Sequence, residues 1–231
     1  MSESKLVDLV MLSPNNSGKR KYELTRITPH CTAVNISAKR IGEIFKPKTR
    51  NASCNYGIGN DCKVVLVCPE EYRSWCSSSY DNDNRAITIE CASLNTHPYE
   101  FLPGVYDKLV ALCVDICERY GKKKLVWISD KNTALKYKVA PDELLLTVHR
   151  WFAAKACPGE WMMTRMKKLA DDVTQKLNPG EDTKVYHIIV KGDTLTKLAK
   201  KYGTTVDWIK TFNPFITDPK KLQIGWEVRV R

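Results

Sequence analysis

Long apolar runs are missing from this sequence of 231 residues. A membrane-spanning helix needs about 18 to 20 consecutive apolar residues, and no such stretch occurs, so we expect no insertion into a membrane. The short apolar stretch at residues 6–12 is interrupted by Asp8 and has no basic region before it. Because a secretory signal needs a basic region and an unbroken apolar one, we expect no signal peptide and synthesis in the cytoplasm of the producing cell.

Dense basic segments are also lacking, although 37 Lys and Arg against 26 Asp and Glu give a net charge of +11. The densest basic runs, at residues 19–21 and 122–124, are short. Without an arginine-rich stretch or a basic stripe with spaced aromatic residues, nucleic acid is not the expected partner. The charge still favours a polyanion, and it leaves open an anionic membrane surface or an acidic cell-wall polymer.

The C-x₂-C spacing of structural zinc ribbons is absent as well. Nine cysteines are present, all between Cys31 and Cys157, and an odd number is unusual for a secreted disulfide scaffold. We therefore predict mostly free thiols in a reducing compartment. Cys113 and Cys117 stand four residues apart on an apolar helix face, which is more typical of a core than of a metal site.

A domain boundary is predicted near residue 178, where a Pro-Gly pair follows a helix pattern. That pattern carries apolar residues on one face, namely Met162, Met166, Leu169, Val173 and Leu177. We predict a first domain at residues 1–178, a linker at 179–184 and a small second domain at 185–231.

The first domain mixes helix and strand patterns. Ser37 can cap a short amphipathic helix, and an apolar stripe at residues 109–120 predicts a longer helix that ends at Gly121. Short apolar runs at residues 64–67, 86–89 and 125–128 predict buried strands. This alternation predicts an α/β fold with a central sheet flanked by helices.

The second domain reads as a strand, two helices and a strand. Residues 186–190 alternate like a strand, an apolar stripe with helical spacing ends at Gly203, and residues 206–212 and 226–230 predict a second helix and a closing strand. The motifs YHIIVKGDTL (186–195), LAKKYGTT (198–205), NP (213–214) and IG (224–225) resemble a LysM module.

That resemblance implies a small βααβ domain that binds polymers containing N-acetylglucosamine, such as peptidoglycan or chitin. The implied sugar groove lies between two loops of the module. Its residues are Gly192, Asp193, Thr194, Asn213, Pro214, Phe215 and Ile216. Gly192 and Asn213 also suit ordinary turns, so a purely structural role stays open for them.

Histidine is scarce, and the four present limit the choice of metal ligands. His97 precedes a proline in a loop and His187 lies in the first strand of the second domain, so we expect structural or exposed positions for both. The others are His30 and His149, with Cys157 eight residues after the latter. Two nitrogens and one thiolate suit tetrahedral zinc with an open position for water, but the spacing alone leaves other roles open.

Four motifs raise the expectation of a zinc enzyme. They are HCTA (30–33), NYGIG (55–59), RAITIE (85–90) and VHRWFAAKACPG (148–159). Together they resemble the zinc-dependent N-acetylmuramoyl-L-alanine amidases, which share a fold with peptidoglycan recognition proteins, and above all the amidase endolysins of phages and prophages of clostridia and their relatives. The resemblance covers residues 6–177, and an amidase followed by a LysM module is a familiar lysin architecture.

The resemblance implies a role for each of five side chains. His30, His149 and Cys157 would hold Zn²⁺, with water in the fourth position. Glu90 would take the proton of that water and deliver it to the leaving amine, and Lys155 would stabilise the oxyanion. The bond cleaved would join N-acetylmuramic acid to L-alanine of the peptidoglycan stem peptide. The local sequence alone favours a surface carboxylate at the end of a strand for Glu90 and a helix-end charge for Lys155.

Three positions depart from the family pattern. Cys54 stands where some relatives have a tyrosine, so Glu90 and Lys155 must carry the proton work, and Tyr56 does not inherit that role. Pro29 precedes His30 and removes a backbone donor, which suits only an edge or the end of a strand. Cys62 occupies a turn position that favours positive φ, which cysteine tolerates poorly, so a reshaped turn is expected.

Two alternatives remain on the sequence alone. The polar loop at residues 75–84 suits either a groove wall or an ordinary surface loop, whereas Trp151 and Phe152 suit the core. The chain as a whole suits a lytic enzyme of the endolysin type, acting on the wall after release from the cell, or a non-catalytic peptidoglycan-binding protein on the same fold. The presence of Cys157 favours the enzyme.

Overall fold

The computed structural model describes residues 3–179 and 185–230, and it divides into two compact units, Met1–Asn178 and Pro179–Arg231. Of the predicted linker, residues 180–184 lie outside the described residues. In the described part of the chain, no helix is both long and apolar enough to cross a membrane.

The first unit contains nine strands and six α-helices among its described residues. The strands are β1 (Leu9–Val10), β2 (Asn16–Lys19), β3 (Arg26–Cys31), β4 (Tyr56–Ile58), β5 (Val64–Leu66), β6 (Tyr72–Ser74), β7 (Ala86–Cys91), β8 (Lys124–Val126) and β9 (Glu143–Leu146). The helices are α1 (Ala38–Phe45), α2 (Tyr80–Arg85), α3 (Val105–Arg119), α4 (Lys131–Lys136), α5 (Glu160–Met163) and α6 (Met166–Leu177).

Seven of these strands form one sheet in the order β1-β5-β4-β7-β3-β9-β8. Every pairing is parallel except that of β4 with β5. Parallel strands buried on both faces read as continuous apolar runs, which is why the predicted strands at residues 64–67 and 86–89 are found there. The remaining strands, β2 and β6, pair antiparallel as a separate ribbon.

Helices cover both faces of this sheet, because alternate residues of a strand point to opposite sides. On one face, Val64 and Leu66 pack in a large core with α3 and α6. On the other, Val65 and Val67 pack against α1, whose first turn is capped by the Ser37 side chain as predicted. The predicted α/β architecture is confirmed, and Cys113 and Cys117 lie buried in the α3 core.

The pairing of β3 with β7 sets the level of the candidate site. The two strands run in register from end to end, so that His30 lies opposite Glu90. Pairing of β3 with β9 covers only Arg26 and Ile27. On that side, Ile27 O accepts a bond from Thr147 N. Pro29 lies two residues later, so its nitrogen faces the same side beyond the last bond of the β3–β9 pairing, where no N–H donor is needed. Pro29 thus occupies an interior strand without leaving a ladder bond unmade.

The turn between β4 and β5 keeps a left-handed residue. Cys62 has a φ of 55°, and its amide donates to Gly59 O. The turn therefore retains the backbone geometry that a cysteine disfavours.

Buried polar side chains join strands β3 and β9 to α2. Thr28 Oγ1 and Thr147 Oγ1 are 2.7 Å apart, and Asn82 donates to Thr28 at 3.0 Å and accepts from Thr147 at 3.0 Å. Asn82 also donates to Ser77 Oγ, which donates to Asp83 at 2.6 Å. We call these five residues the polar web. Every member is buried, so hydrogen bonding within the group offsets the cost of desolvation.

The second unit has the predicted strand-helix-helix-strand order. Its elements are β10 (Tyr186–Ile188), α7 (Leu195–Tyr202), α8 (Val206–Phe212) and β11 (Glu227–Arg229). The strands pair antiparallel, Thr194 and Thr205 cap the two helices, and Gly203 ends α7 at a φ of 66°. The core is small and apolar, with Ile189, Leu195, Leu198, Ala199, Ile209, Ile216, Val228 and Val230 buried.

Candidate metal and catalytic site

His30, His149 and Cys157 come together at the carboxyl end of β3. His30 is the fifth residue of that strand, and His149 begins a short 3₁₀ turn (His149–Trp151) after β9. Cys157 Sγ lies 3.3 Å from His30 Nδ1, and the two imidazole rings are 5.0 Å apart between centroids. One candidate ligand atom from each residue lies within 4.8 Å of the others. The three side chains can thus reach one ion.

The donor set fits zinc. Bonds of about 2.3 Å to sulfur and 2.0–2.1 Å to nitrogen place tetrahedral ligand atoms roughly 3.5 Å apart, close to the 3.3 Å between Cys157 and His30. Burial lowers the pKa of both imidazoles, and each also feels a neighbour, His149 beside His30 and Lys155 beside His149. Neutral imidazole is the form that binds a metal. Nε2 of the buried His30 has no partner among the described residues.

Glu90 lies beside this cluster on β7, opposite His30. The thiol of Cys76 donates to its Oε1 at 3.8 Å, while Oε2 is buried with no partner in the described chain. Burial raises the pKa of Glu90 to about 8, and the Cys31 side chain adds to the rise. Such a carboxyl group can exchange a proton near neutral pH, which general acid–base chemistry requires.

Two adjoining cavities of about 550 and 460 Å³ meet at this point. Glu90, His149 and Lys155 line both of them. The predicted loop supplies Trp75, Ser78 and other residues to the larger cavity, so it forms a groove wall. The smaller cavity is lined by His30, Cys157 and apolar residues of α1.

Ser78 was not anticipated as a functional residue. Its Oγ lies 3.2 Å from His149 Nε2, and its backbone is left-handed with a φ of 60°. This bond occupies Nε2 and leaves Nδ1 of the ring available as a ligand atom. Non-glycine residues seldom adopt this backbone outside constrained positions.

Other residues near the site also escaped sequence reasoning. Cys31 lines the smaller cavity together with Cys157, and Cys76 contacts Glu90. Adjacency to His30 was the only signal for Cys31. Arg50 and Arg73 line the larger cavity, but only the folded chain reveals this. The expected core position of Trp151 is confirmed, since it is buried and stacks on Trp127 at 5.3 Å, whereas Phe152 is half-buried and packs against the edge of the same core.

The LysM residues predicted to bind sugar separate into two groups. Asn213 and Ile216 are buried, and the Asn213 amide is fully used by Ile209 O, Arg229 O and Arg229 N. Asp193 accepts from Val190 N and pairs with His187 at 2.7 Å, while Thr194 caps α7. Phe215 is 49% exposed. Most of these side chains shape the loops, whereas Pro214 and Phe215 are exposed, and Phe215 offers the larger apolar surface to solvent.

Comparison with known families identifies this arrangement. The sequence profile described as N-acetylmuramoyl-L-alanine amidase matches residues 20–160, and that of the LysM domain matches residues 187–231. The chain belongs to the N-acetylmuramoyl-L-alanine amidase family. The region that matches the amidase profile contains the three candidate metal ligands together with Glu90 and Lys155. The LysM domain follows this region in the sequence.

Two curated relatives are similar over different lengths. The N-acetylmuramoyl-L-alanine amidase XlyB of Bacillus subtilis is 23% identical over 217 residues, which cover 88% of this chain and 61% of XlyB. The endolysin of Bacillus phage B103 is 39% identical over 44 residues, which cover 19% of this chain and 17% of the endolysin. The chain thus spans less than two thirds of the length of either relative.

Solved structures agree with the amidase fold. PlyL superposes with a TM-score of 0.51 at 13% identity, over 78% of this chain and 99% of PlyL. The Staphylococcus aureus hydrolase AmiA, in complex with its ligand, superposes with a TM-score of 0.53 at 17% identity, over 77% of this chain and 85% of AmiA. At these identities the likeness establishes the fold of this amidase-family chain.

Proposed function

We propose that the chain is a zinc-dependent hydrolase of bacterial peptidoglycan that cleaves the amide between N-acetylmuramic acid and L-alanine of the stem peptide. The observation that carries this proposal is the meeting of His30, His149 and Cys157 beside the buried Glu90. Membership of the amidase family supports the substrate.

In this proposal His30, His149 and Cys157 hold Zn²⁺. The ion, when bound, polarises the scissile carbonyl and lowers the pKa of water toward neutrality. The chain's own residues hold the ligands in place: the β3–β7 register fixes His30, and Ser78 orients His149. The metal is thus proposed to enter a site whose ligands are largely positioned beforehand.

Glu90 and Lys155 are proposed to handle protons and charge. The Glu90 carboxylate accepts a proton from the attacking water and returns it to the nitrogen of the departing L-alanine, so the bond breaks to give a neutral amine. The Lys155 ammonium, which lines both cavities with Glu90, stabilises negative charge on the carbonyl oxygen in the tetrahedral state. Both roles place a charge where one develops during the reaction.

The LysM domain is proposed to hold the enzyme on peptidoglycan glycan strands containing N-acetylglucosamine and N-acetylmuramic acid. The loop residues Gly192–Thr194 and 213–216 are the proposed contact, through their backbone groups and the exposed Phe215 ring. A tether raises the local concentration of the catalytic unit on an insoluble substrate. The net charge of +11 favours approach to an anionic wall.

Incubating the purified chain with bacterial sacculi tests the proposal. Newly exposed α-amino groups of L-alanine are followed with and without a zinc chelator, and zinc is then added back. Release that stops with chelator and resumes with zinc is the expected result. Binding to the wall with no release of amines in any condition would instead identify a non-catalytic peptidoglycan-binding protein.

Removing residues 179–231 should separate binding from chemistry. Because the tether acts through local concentration, we expect activity on sacculi to fall by about tenfold or more, while activity on a soluble muramyl peptide stays within about twofold because the site lies in the other unit. Rates on the two substrates measure this directly. Equal losses on both would show that the second unit supports the catalytic unit itself.

Replacing Ser78 with alanine should weaken zinc binding without removing a ligand. Loss of a partner that orients a ligating histidine costs about 10- to 100-fold in metal affinity. Competition with a chromophoric chelator gives the dissociation constant, and Ser79→Ala, whose hydroxyl caps α2 instead, is the matched control. An unchanged zinc affinity in Ser78→Ala would remove Ser78 from the site.

A further inference from the structure

The larger cavity carries an excess of positive charge. Arg50, Arg73 and Lys155 line it, and none of the three takes part in an ion pair with a carboxylate in the described chain. Of its two acidic residues, Glu90 is assigned to proton transfer. Asp83 is buried and accepts bonds from Ser77 and Cys76. The three cations thus outnumber the two carboxyl groups of the groove, and Asp83 is close enough to Arg73 for the guanidinium charge to counteract part of the rise that burial causes in the pKa of Asp83.

Arg73 is the most firmly held of these cations. It lies on β6, and its Nη2 donates to Ser17 Oγ on the paired strand β2 at 2.5 Å. The guanidinium carbon lies 4.7 Å from the centre of the Tyr80 ring, and Trp75 donates to the same Ser17 oxygen at 2.7 Å. These partners are all neutral, so they fix the guanidinium in place without cancelling its charge.

Arg73 combines a buried, unpartnered donor with the absence of any carboxylate partner in the described chain. Nε of Arg73 is buried without a partner among the described residues. In contrast, Arg26, Arg85 and Arg150 each donate to a carboxylate. A guanidinium that is held by neutral partners and forms no ion pair with a carboxylate suits an anionic group of a ligand, because a carboxylate can accept two parallel bonds from it.

We propose that Arg73 binds the free α-carboxylate of the second stem-peptide residue, so that the enzyme prefers stem peptides with D-glutamate over those with D-isoglutamine. This inference rests on the proposed function. In peptidoglycan the residue after L-alanine is D-glutamate linked through its side chain, and its α-carboxyl group is either free or amidated. The two forms have the same size and differ in charge.

Distance favours this carboxylate over others in the stem. Six bonds separate its carbon from the scissile carbonyl carbon, a span of roughly 7 Å when extended. A substrate whose carbonyl sits beside Glu90 and Lys155 therefore holds this group within about that distance of them, and a stem that runs along the larger cavity brings it to the lining that includes Arg73. Lys155 is a less suitable partner, since its ammonium is a point charge on a flexible stem and is assigned to the carbonyl oxygen.

Two soluble muramyl tripeptides that differ only in D-glutamate or D-isoglutamine test the proposal. We expect kcat/KM to favour the carboxylate form by about tenfold or more, the range for a charge-assisted bidentate contact. Arg73→Gln should bring the ratio of the two kcat/KM values close to one by slowing only the carboxylate substrate. Arg73→Lys should retain part of the preference for the carboxylate substrate. Arg40→Gln, which removes an exposed arginine on α1 that pairs with Glu43, is the matched control.

Binding measured without turnover separates this inference from the proposed function. Dissociation constants of both tripeptides for the Glu90→Gln variant should show the same preference, and Arg73→Gln should abolish it there too. Equal binding and equal rates for the two tripeptides would overturn the inference, as would a preference that survives Arg73→Gln. If the chain cleaves sacculi but shows no preference between the two tripeptides, the carboxylate contact is refuted and the amidase proposal stands.

Discussion

Replacing Cys157 with serine is expected to lower the rate of amide hydrolysis by at least about a thousandfold, because the site would lose the thiolate that completes its three protein ligands. A serine hydroxyl is almost the same size but stays protonated at neutral pH, so it is a poor ligand for zinc. The sheet should fold as before, since Cys157 lies after the last strand of the first unit. Wall binding through the LysM domain should therefore persist.

Zinc content and hydrolysis, measured on the same preparations, check this expectation. Cys31→Ser is a demanding control, because Cys31 lines the same cavity as Cys157 but is outside the proposed ligand set. We expect Cys31→Ser to retain one zinc per chain and to hydrolyse sacculi. Full activity in Cys157→Ser, or loss of zinc only in Cys31→Ser, would show that the ligands have been assigned wrongly.

Replacing Glu90 with glutamine should slow turnover by about 10²- to 10⁴-fold while leaving zinc in place, the range for loss of a general acid–base group. Glutamine keeps the volume of the side chain but cannot take up the proton of the attacking water. Glu90 lies opposite His30 with one carboxylate oxygen buried and unpartnered among the described residues. Because glutamine has nearly the same shape as glutamate, a change in activity reports chemistry rather than packing.

The comparison that decides the role of Glu90 is kcat against zinc affinity. We expect kcat to fall with no change in zinc affinity, and Glu43→Gln on the exposed surface of α1 to change neither. If Glu90→Gln lost zinc as readily as Cys157→Ser, Glu90 would be acting as a ligand. The structure offers this alternative ligand set, because His30, Cys76 and Glu90 also lie close enough to one another to bind one ion.

Local sequence patterns predicted much of the scaffold. The Ser37 cap, the buried strand before Glu90 and the βααβ order of the second unit depend on neighbours within a few residues, so they are visible in the sequence. The candidate site depended on family resemblance instead. His30 and Cys157 are 127 residues apart in the chain, and their spacing alone was only a weak indication of a zinc site.

Other features needed the folded chain. The guanidinium of Arg73 is held by Ser17 because β6 pairs with β2, whose residues lie far away in sequence. Ser78 bonds to His149, which is 71 residues away in the sequence. Its backbone is left-handed, a conformation that a serine in the sequence does not predict. In the second unit, the buried amide of Asn213 bonds to backbone groups of Arg229. Long-range pairing of this kind is set by tertiary packing and leaves no periodic signal.

The polar web beneath the site has a consequence for how the groove can move. It ties the loop that precedes α2 to β3 and β9 through buried bonds at Asn82 and Ser77. Lifting that loop would break several of these bonds at once and leave the partners unpaired away from water. Opening this wall therefore costs more free energy than moving a loop held only by exposed bonds, and its amide hydrogens should exchange with solvent more slowly than those of the exposed loops of this unit.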